Sequence, residues 1–89
     1  MKTLHTPQRC QVTQQAGRIT AVKLGDQSWP VRQIIDQYVL CDAWRHQPQA
    51  GGERRVYYLL DTARGLLEVF ERQAGLPHQL GWWIAGWPD

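Results

Sequence analysis

The stretch from Arg55 to Arg72 constrains this chain more than any other part of it. Arg55-Val56-Tyr57-Tyr58-Leu59-Leu60 is built from β-branched, aromatic and aliphatic residues that suit a pleated strand. Asp61-Thr62-Ala63-Arg64-Gly65 has turn chemistry, with Gly65 available for a positive φ. Leu66-Leu67-Glu68-Val69-Phe70-Glu71-Arg72 then returns. The pattern predicts a hairpin centred on Thr62–Gly65. Alternation places Arg55, Tyr57 and Leu59 on one face and Arg54, Val56, Tyr58 and Leu60 on the other. In the return strand Glu68, Phe70 and Arg72 oppose Leu67, Val69 and Glu71. Neither face is wholly polar, as expected of a curled sheet that is partly covered on both sides.

Upstream, Arg9 to Gln14 and Arg18 to Leu24 read as two strands around Ala16-Gly17. Gly25-Asp26 fits a tight turn into a short strand, Gln27-Ser28-Trp29. The period then changes. Val31, Ile34, Ile35 and Tyr38 fall at i, i+3, i+4 and i+7, and Pro30 stands where a first helical residue would. A short helix over Pro30–Gln37 is expected, with a short strand as the alternative that the β-branched residues allow. Val39 to Arg45 and Gly81 to Trp87 complete the strands. Seven short strands and one helix imply a mainly β fold, a small antiparallel curved sheet or SH3-like barrel with one short helix. Val22, Ile34, Val39, Val56, Tyr58, Leu60, Val69 and Ile84 form the expected core.

At 89 residues the chain reads as a single domain, 1–89, long enough for one compact core. The Pro/Gly stretches Gln47–Gly52 and Gln73–Gln79 are too short to be domain linkers. An apolar fraction of 43% argues against disorder. The net charge of +2 is too mild to demand a nucleic-acid partner, although eight of the ten basic residues are Arg, which favours a contact surface. The polar opening Met1-Lys2-Thr3-Leu4-His5 does not read as a secretory signal, and no apolar run is long enough to span a membrane. The reading is a cytoplasmic protein whose Cys10 and Cys41 are buried thiols; a single disulfide stays open at this point.

The chemistry of catalysis leaves little trace. His5, His46, His78, Cys10 and Cys41 pair at no metal-ligand spacing, so neither metal nor cofactor is expected. Ser28, the only serine, is explained by its place before Trp29-Pro30, and Cys41 and His46 fall on opposite faces of a strand. Glu68 and Glu71 also part to opposite faces, and Gly51-Gly52 lacks the Lys-Ser/Thr of a phosphate loop. The expectation is a protein that is not an enzyme.

The aromatic and basic residues point to binding. Five tryptophans include three in Gly81–Trp87, where alternation sets Trp82, Ile84 and Gly86 against Trp83, Ala85 and Trp87. Tryptophan is costly to expose and rich in binding energy on a surface. Trp44, Arg54, Arg55, Tyr57 and Trp83 are therefore the candidate binding residues, an aromatic strip with a basic edge. The bland reading is that one aromatic face is core and the arginines are its solvated rim. A protein partner bound in an aromatic groove or by strand addition is the first expectation; direct binding of single-stranded nucleic acid by stacking is the alternative.

Several segments together carry a family resemblance. Trp29-Pro30-Val31 through Ile34-Ile35-Asp36, Asp42-Ala43-Trp44, Gly52-Glu53-Arg54-Arg55-Val56-Tyr57-Tyr58, and Trp83 to Asp89 resemble a small bacterial domain family of unknown function. Such domains occur alone or fused behind Y-family polymerase-like proteins of mutagenic repair. The resemblance covers about residues 18–89. The chain departs from it in having Tyr38 where the family often has Trp, His46-Gln47-Pro48 where acidic residues are common, and Leu76-Pro77-His78-Gln79 before the last strand. It implies a binding or adaptor role in bacterial DNA repair or translesion synthesis, and no catalytic residue.

Overall fold

The computed structural model describes residues 2–42, 53–74 and 80–87. Six strands follow in order: β1 (Lys2–Gln15), β2 (Arg18–Leu24), β3 (Gln27–Asp42), β4 (Glu53–Thr62), β5 (Gly65–Ala74) and β6 (Gly81–Trp87). Each pairs antiparallel with the next, and β6 returns to β1, so the sheet closes into a barrel. Two long strands carry the closure. β1 pairs with β6 through Lys2–Cys10 and with β2 through Gln11–Gln15. β3 pairs with β2 through Gln27–Pro30 and with β4 from Val31 to Asp42.

The expected hairpin is present, with Thr62 opposite Gly65 and Ala63-Arg64 between them. Thr62 ties the turn: its Oγ1 donates to the Gly65 carbonyl at 2.6 Å and accepts from the Arg64 backbone N–H at 3.1 Å. Gly25 has a φ of 57° beside Asp26, which suits the tight link between β2 and β3.

The helix expected over Pro30–Gln37 is instead the middle of β3, and three of the expected elements merge into this one strand. The physical reason is bulging. The β3–β4 register skips Arg32 and Ile35, so each is an extra residue on β3. Val31 faces Thr62, Ile34 faces Leu60 and Gln37 faces Tyr58. The β3 residues opposite Thr62, Leu60 and Tyr58 thus lie three apart, and a bulged strand reproduces the spacing of a helix. β2 does the same: Thr20 is skipped, and Ile19 and Val22 both turn inward.

Cys10, Ile19, Val22, Trp29, Leu60, Leu67, Val69 and Ile84 form the buried cluster of the core, with Leu4, Val12, Leu24, Val31, Tyr58, Trp82 and Trp87 packed against it. Trp29 is closed over by the β4–β5 turn: the Arg64 guanidinium lies 4.8 Å from its ring and donates to the Ser28 carbonyl at 3.3 Å, while the Ala63 N–H donates to the Pro30 carbonyl at 3.1 Å. Of the expected core, Val22, Val56, Leu60, Val69 and Ile84 are buried and Tyr58 is half-buried. Ile34 and Val39 are corrections. Both are exposed, because this half of β3 has β4 on one side and no strand among the described residues on the other.

Leu60→Ala is expected to cost about 2–5 kcal/mol, the usual cost of emptying a buried leucine site, and Ile34→Ala well under half as much. Urea denaturation of the two variants measures the difference; equal losses would place Ile34 in the core.

Candidate functional site

The predicted hairpin register brings the outer-face residues into a ladder. Counting back from the turn, Leu59 opposes Glu68, Tyr57 opposes Phe70 and Arg55 opposes Arg72. β3 adds Tyr38 opposite Tyr57, β6 adds Trp83 opposite Phe70, and β1 adds Arg9 opposite Trp83. Tyr38, Tyr57, Phe70, Trp83 and Arg9 therefore form one row across five strands, on the outside of the barrel.

Neighbouring rings occupy each other's faces. Tyr38 and Tyr57 stack with centroids 4.9 Å apart and planes within 2°, and Tyr57 meets Phe70 at 4.9 Å with a 34° tilt. Guanidinium groups cover the rest. Arg55 lies 5.1 Å and Arg72 5.7 Å from the Phe70 ring centre, and Arg55 Nη1 donates to the Tyr57 hydroxyl at 3.3 Å. Arg72 also lies 5.7 Å from Trp83, and Arg9 4.7 Å. Phe70 is consequently 0% exposed although it stands outside the core cluster. The row is a second, outer hydrophobic layer sealed by cation–π contacts.

Arg9 is held in place from two directions. Its Nη2 donates to the Leu80 carbonyl at 2.9 Å. A Cβ at Gly81 would come within 2.9 Å of its Nη1, and Gly81 has a φ of +119°. The positive φ is what favours glycine there, since the tip of the Arg9 side chain could shift to admit a Cβ.

Of the five residues singled out from sequence, Arg55, Tyr57 and Trp83 are brought together, joined through Phe70. Arg54 is exposed, but strand alternation sets it with Val56 and Tyr58, away from the row. Trp44 lies outside the described residues, as do His46 and His78. Sequence reasoning missed Tyr38, Phe70, Arg72 and Arg9. The hairpin register was sufficient to find Phe70 and Arg72; Tyr38 was hidden by the helical reading, and Arg9 by the return of the last strand to the first. Trp87 is a further correction. Its alternation with Trp83 breaks because Ala85 is skipped between Gly86, opposite Glu68, and Ile84, opposite Val69. The bulge turns Trp87 back onto the core.

At the β3 end the row is open. Tyr38 is exposed at the stack's edge, its hydroxyl donating to Glu68 Oε2 at 3.3 Å. Partial burial and the adjacent Glu68 carboxylate both raise its pKa. Beside it stand Ile34, Ile35, Val39 and Leu40. These five residues of β3 are joined by only Leu66 and Leu80 as exposed large hydrophobics among the described residues, so the exposed apolar surface is concentrated on one strand. Asp36 Oδ1 accepts from the Gln37 N–H at 2.8 Å and is turned along its own strand.

No group of three or more His, Cys, Asp or Glu side chains is placed to hold a metal among the described residues. Cys10 is a buried free thiol whose pKa burial pushes up to about 12, against a smaller opposing effect of Arg9. It is packed into the core as a small hydrophobe.

Two outcomes follow from this geometry. Phe70→Ala is expected to destabilise the barrel by about 3–5 kcal/mol, as for a phenylalanine in a core, and denaturant titration measures it. Between the ordinary thiol value of 9.0 and about 12, the unfolded chain releases the Cys10 proton while the folded chain keeps it. Stability therefore falls as pH rises through that window. The denaturation midpoint of Cys10→Ala, compared with that of the parent at about pH 8 and about pH 10.5, should lack this component of the loss. An identical fall in both proteins would exclude Cys10 as its source.

Set against known proteins, the chain matches no family model, no curated protein and no solved structure, so the family resemblance rests on the residues quoted for it.

Proposed function

We propose that this protein is a non-enzymatic binding module that accepts an extended segment of a partner protein along the free edge of β3. One observation carries the reading. From Val31 to Asp42, β3 is paired with β4 on one side, and no described strand takes the other. An edge of that length offers a row of backbone donors and acceptors to an incoming strand. The apolar side chains Ile34, Ile35, Tyr38, Val39 and Leu40 stand along it, and alternate pockets for side chains give such pairing its specificity. The stacked row behind Tyr38 supplies a backing, since Tyr57, itself packed on Phe70, stacks on its ring from one side.

Stacking of single-stranded nucleic acid fits the geometry less well. Bases need open ring faces. Here the faces of Tyr57 and Phe70 are taken by neighbouring rings and guanidinium groups, and Trp83 carries Arg9 and Arg72. The resemblance adds a setting, bacterial DNA repair or translesion synthesis, and makes polymerase-like repair proteins the first partners to test.

Amide hydrogen exchange with and without a peptide selected from a random library tests the reading. Slowed exchange confined to Val31–Asp42 is expected, together with loss of binding in a Val39→Lys, Leu40→Lys variant. Protection on the Arg55–Arg72 face instead, with affinity for oligothymidylate that falls steeply with salt, would replace strand addition by nucleic-acid binding.

A further inference from the structure

β2 and β3 pair only between Ala21–Pro30 and Leu24–Gln27. Beyond Pro30 they part, and Arg18 to Thr20 of β2 draw away from the free half of β3. The opening is a cleft of about 290 Å³ lined by Arg18, Ile19, Arg32, Gln33 and Ile34. Its floor is apolar, with Ile19 5% exposed. Two arginines, Arg18 and Arg32, line the cleft, and no carboxylate does so among the described residues.

Arg32 reaches the cleft because it is the extra residue of a bulge, between Val31 opposite Thr62 and Gln33 opposite Asp61. Bulges commonly re-aim a side chain at a site. Arg18 is the first residue of β2, paired with Gln15 across the Ala16-Gly17 turn. Two cations from separate strands thus flank the place where the free edge of β3 begins. Like charges in one cleft repel each other unless an anion is shared between them, and guanidinium groups suit a carboxylate bound through both oxygens.

Resting on the strand-addition reading, we propose that the partner segment carries an acidic residue that sits between Arg18 and Arg32 while the segment runs along β3 toward Leu40. The cleft and the apolar edge are continuous through Ile34, which belongs to both. That continuity favours a polypeptide over a phosphodiester chain. A polypeptide brings backbone groups to pair with the bare edge, apolar side chains to cover Ile35 and Val39, and a carboxylate for the cleft.

The probes are short fluorescent peptides of alternating valine and threonine, capped at both ends, with a single terminal glutamate, glutamine or lysine. The glutamate peptide is expected to bind more tightly than its glutamine twin by roughly fivefold, the upper range for a solvent-exposed ion pair, and the lysine peptide most weakly. An Arg18→Gln, Arg32→Gln variant should bind glutamate and glutamine peptides equally and keep the parent's affinity for the latter. Both positions are exposed, and an unchanged circular-dichroism spectrum verifies the fold. Equal binding of the three peptides by the parent would overturn the acidic preference and leave strand addition standing. Retention of the preference by the double variant would place the carboxylate elsewhere. Failure of every peptide, with tight binding of oligothymidylate or a β3-dependent dimer in sedimentation, would overturn both readings.

Discussion

Closing six strands of this length into a barrel requires the long strands to change direction, and bulges supply the bends. β1 and β3 each serve two neighbours in succession, so each must turn from one stretch of sheet into the next. Register shifts between β1 and β2, β1 and β6, β3 and β4, and β5 and β6 accompany that change. A bulge increases the local twist and bends its strand, which a closed sheet of few strands needs. Several side chains take their place from these bends. Arg32 lines the cleft and Ile35 stands exposed because each is itself the extra residue of a bulge, and Trp87 returns to the core because Ala85 is skipped before it.

The aromatics divide between the two faces of the closed sheet. The buried cluster is mostly Val, Leu and Ile with Trp29, and Tyr58, Trp82 and Trp87 pack against it. Tyr38, Tyr57, Phe70 and Trp83 occupy the outer surface instead. There the arginines complete what a second sheet or a helix supplies in larger folds. Their guanidinium groups lie over the rings, and the Nε of Arg72 is itself buried in this layer. A chain of 89 residues buries a modest share of its surface, so an outer layer that hides Phe70 completely adds a second source of stability.

How much of this was legible in the sequence depends on where strict alternation holds. From Arg55 to Arg72 the pairing is regular, and turn position, facing and the Tyr57–Phe70 contact all follow from counting outward from Gly65. From Pro30 to Tyr38 the alternation is broken twice within a few residues, so Val31 and Ile34, three apart, both lie on the side of β3 paired with the buried Thr62 and Leu60 and imitate the start of a helical face. Local sequence carries no mark that separates a doubly bulged strand from a short helix there, apart from its β-branched residues. The meeting of Arg9 with Trp83 depends on the return of β6 to β1, a pairing between the two ends of the chain. No local pattern encodes it.

The edge of β3 from Val31 to Asp42, unpaired among the described residues, shows two physical demands on one segment. Long apolar edges invite unwanted pairing, and proteins blunt them with bulges and charged residues. β3 has both, with bulges at Arg32 and Ile35 and charges at Arg32 and Asp36. Those devices interrupt a flat, repetitive template, so an indiscriminate strand meets a kink after each few residues. They do not cover Tyr38, Val39 and Leu40, where the register with β4 is regular again up to Asp42. The edge is thus irregular and charged near the barrel and regular and apolar toward its far end. A partner that pairs with all of it must place a complementary charge at the irregular part and apolar residues at the regular part. If a strand adds along this edge as proposed, the features that discourage aggregation would also select it, because a segment lacking that order would gain the apolar contacts only by leaving Arg32 without a counter-charge.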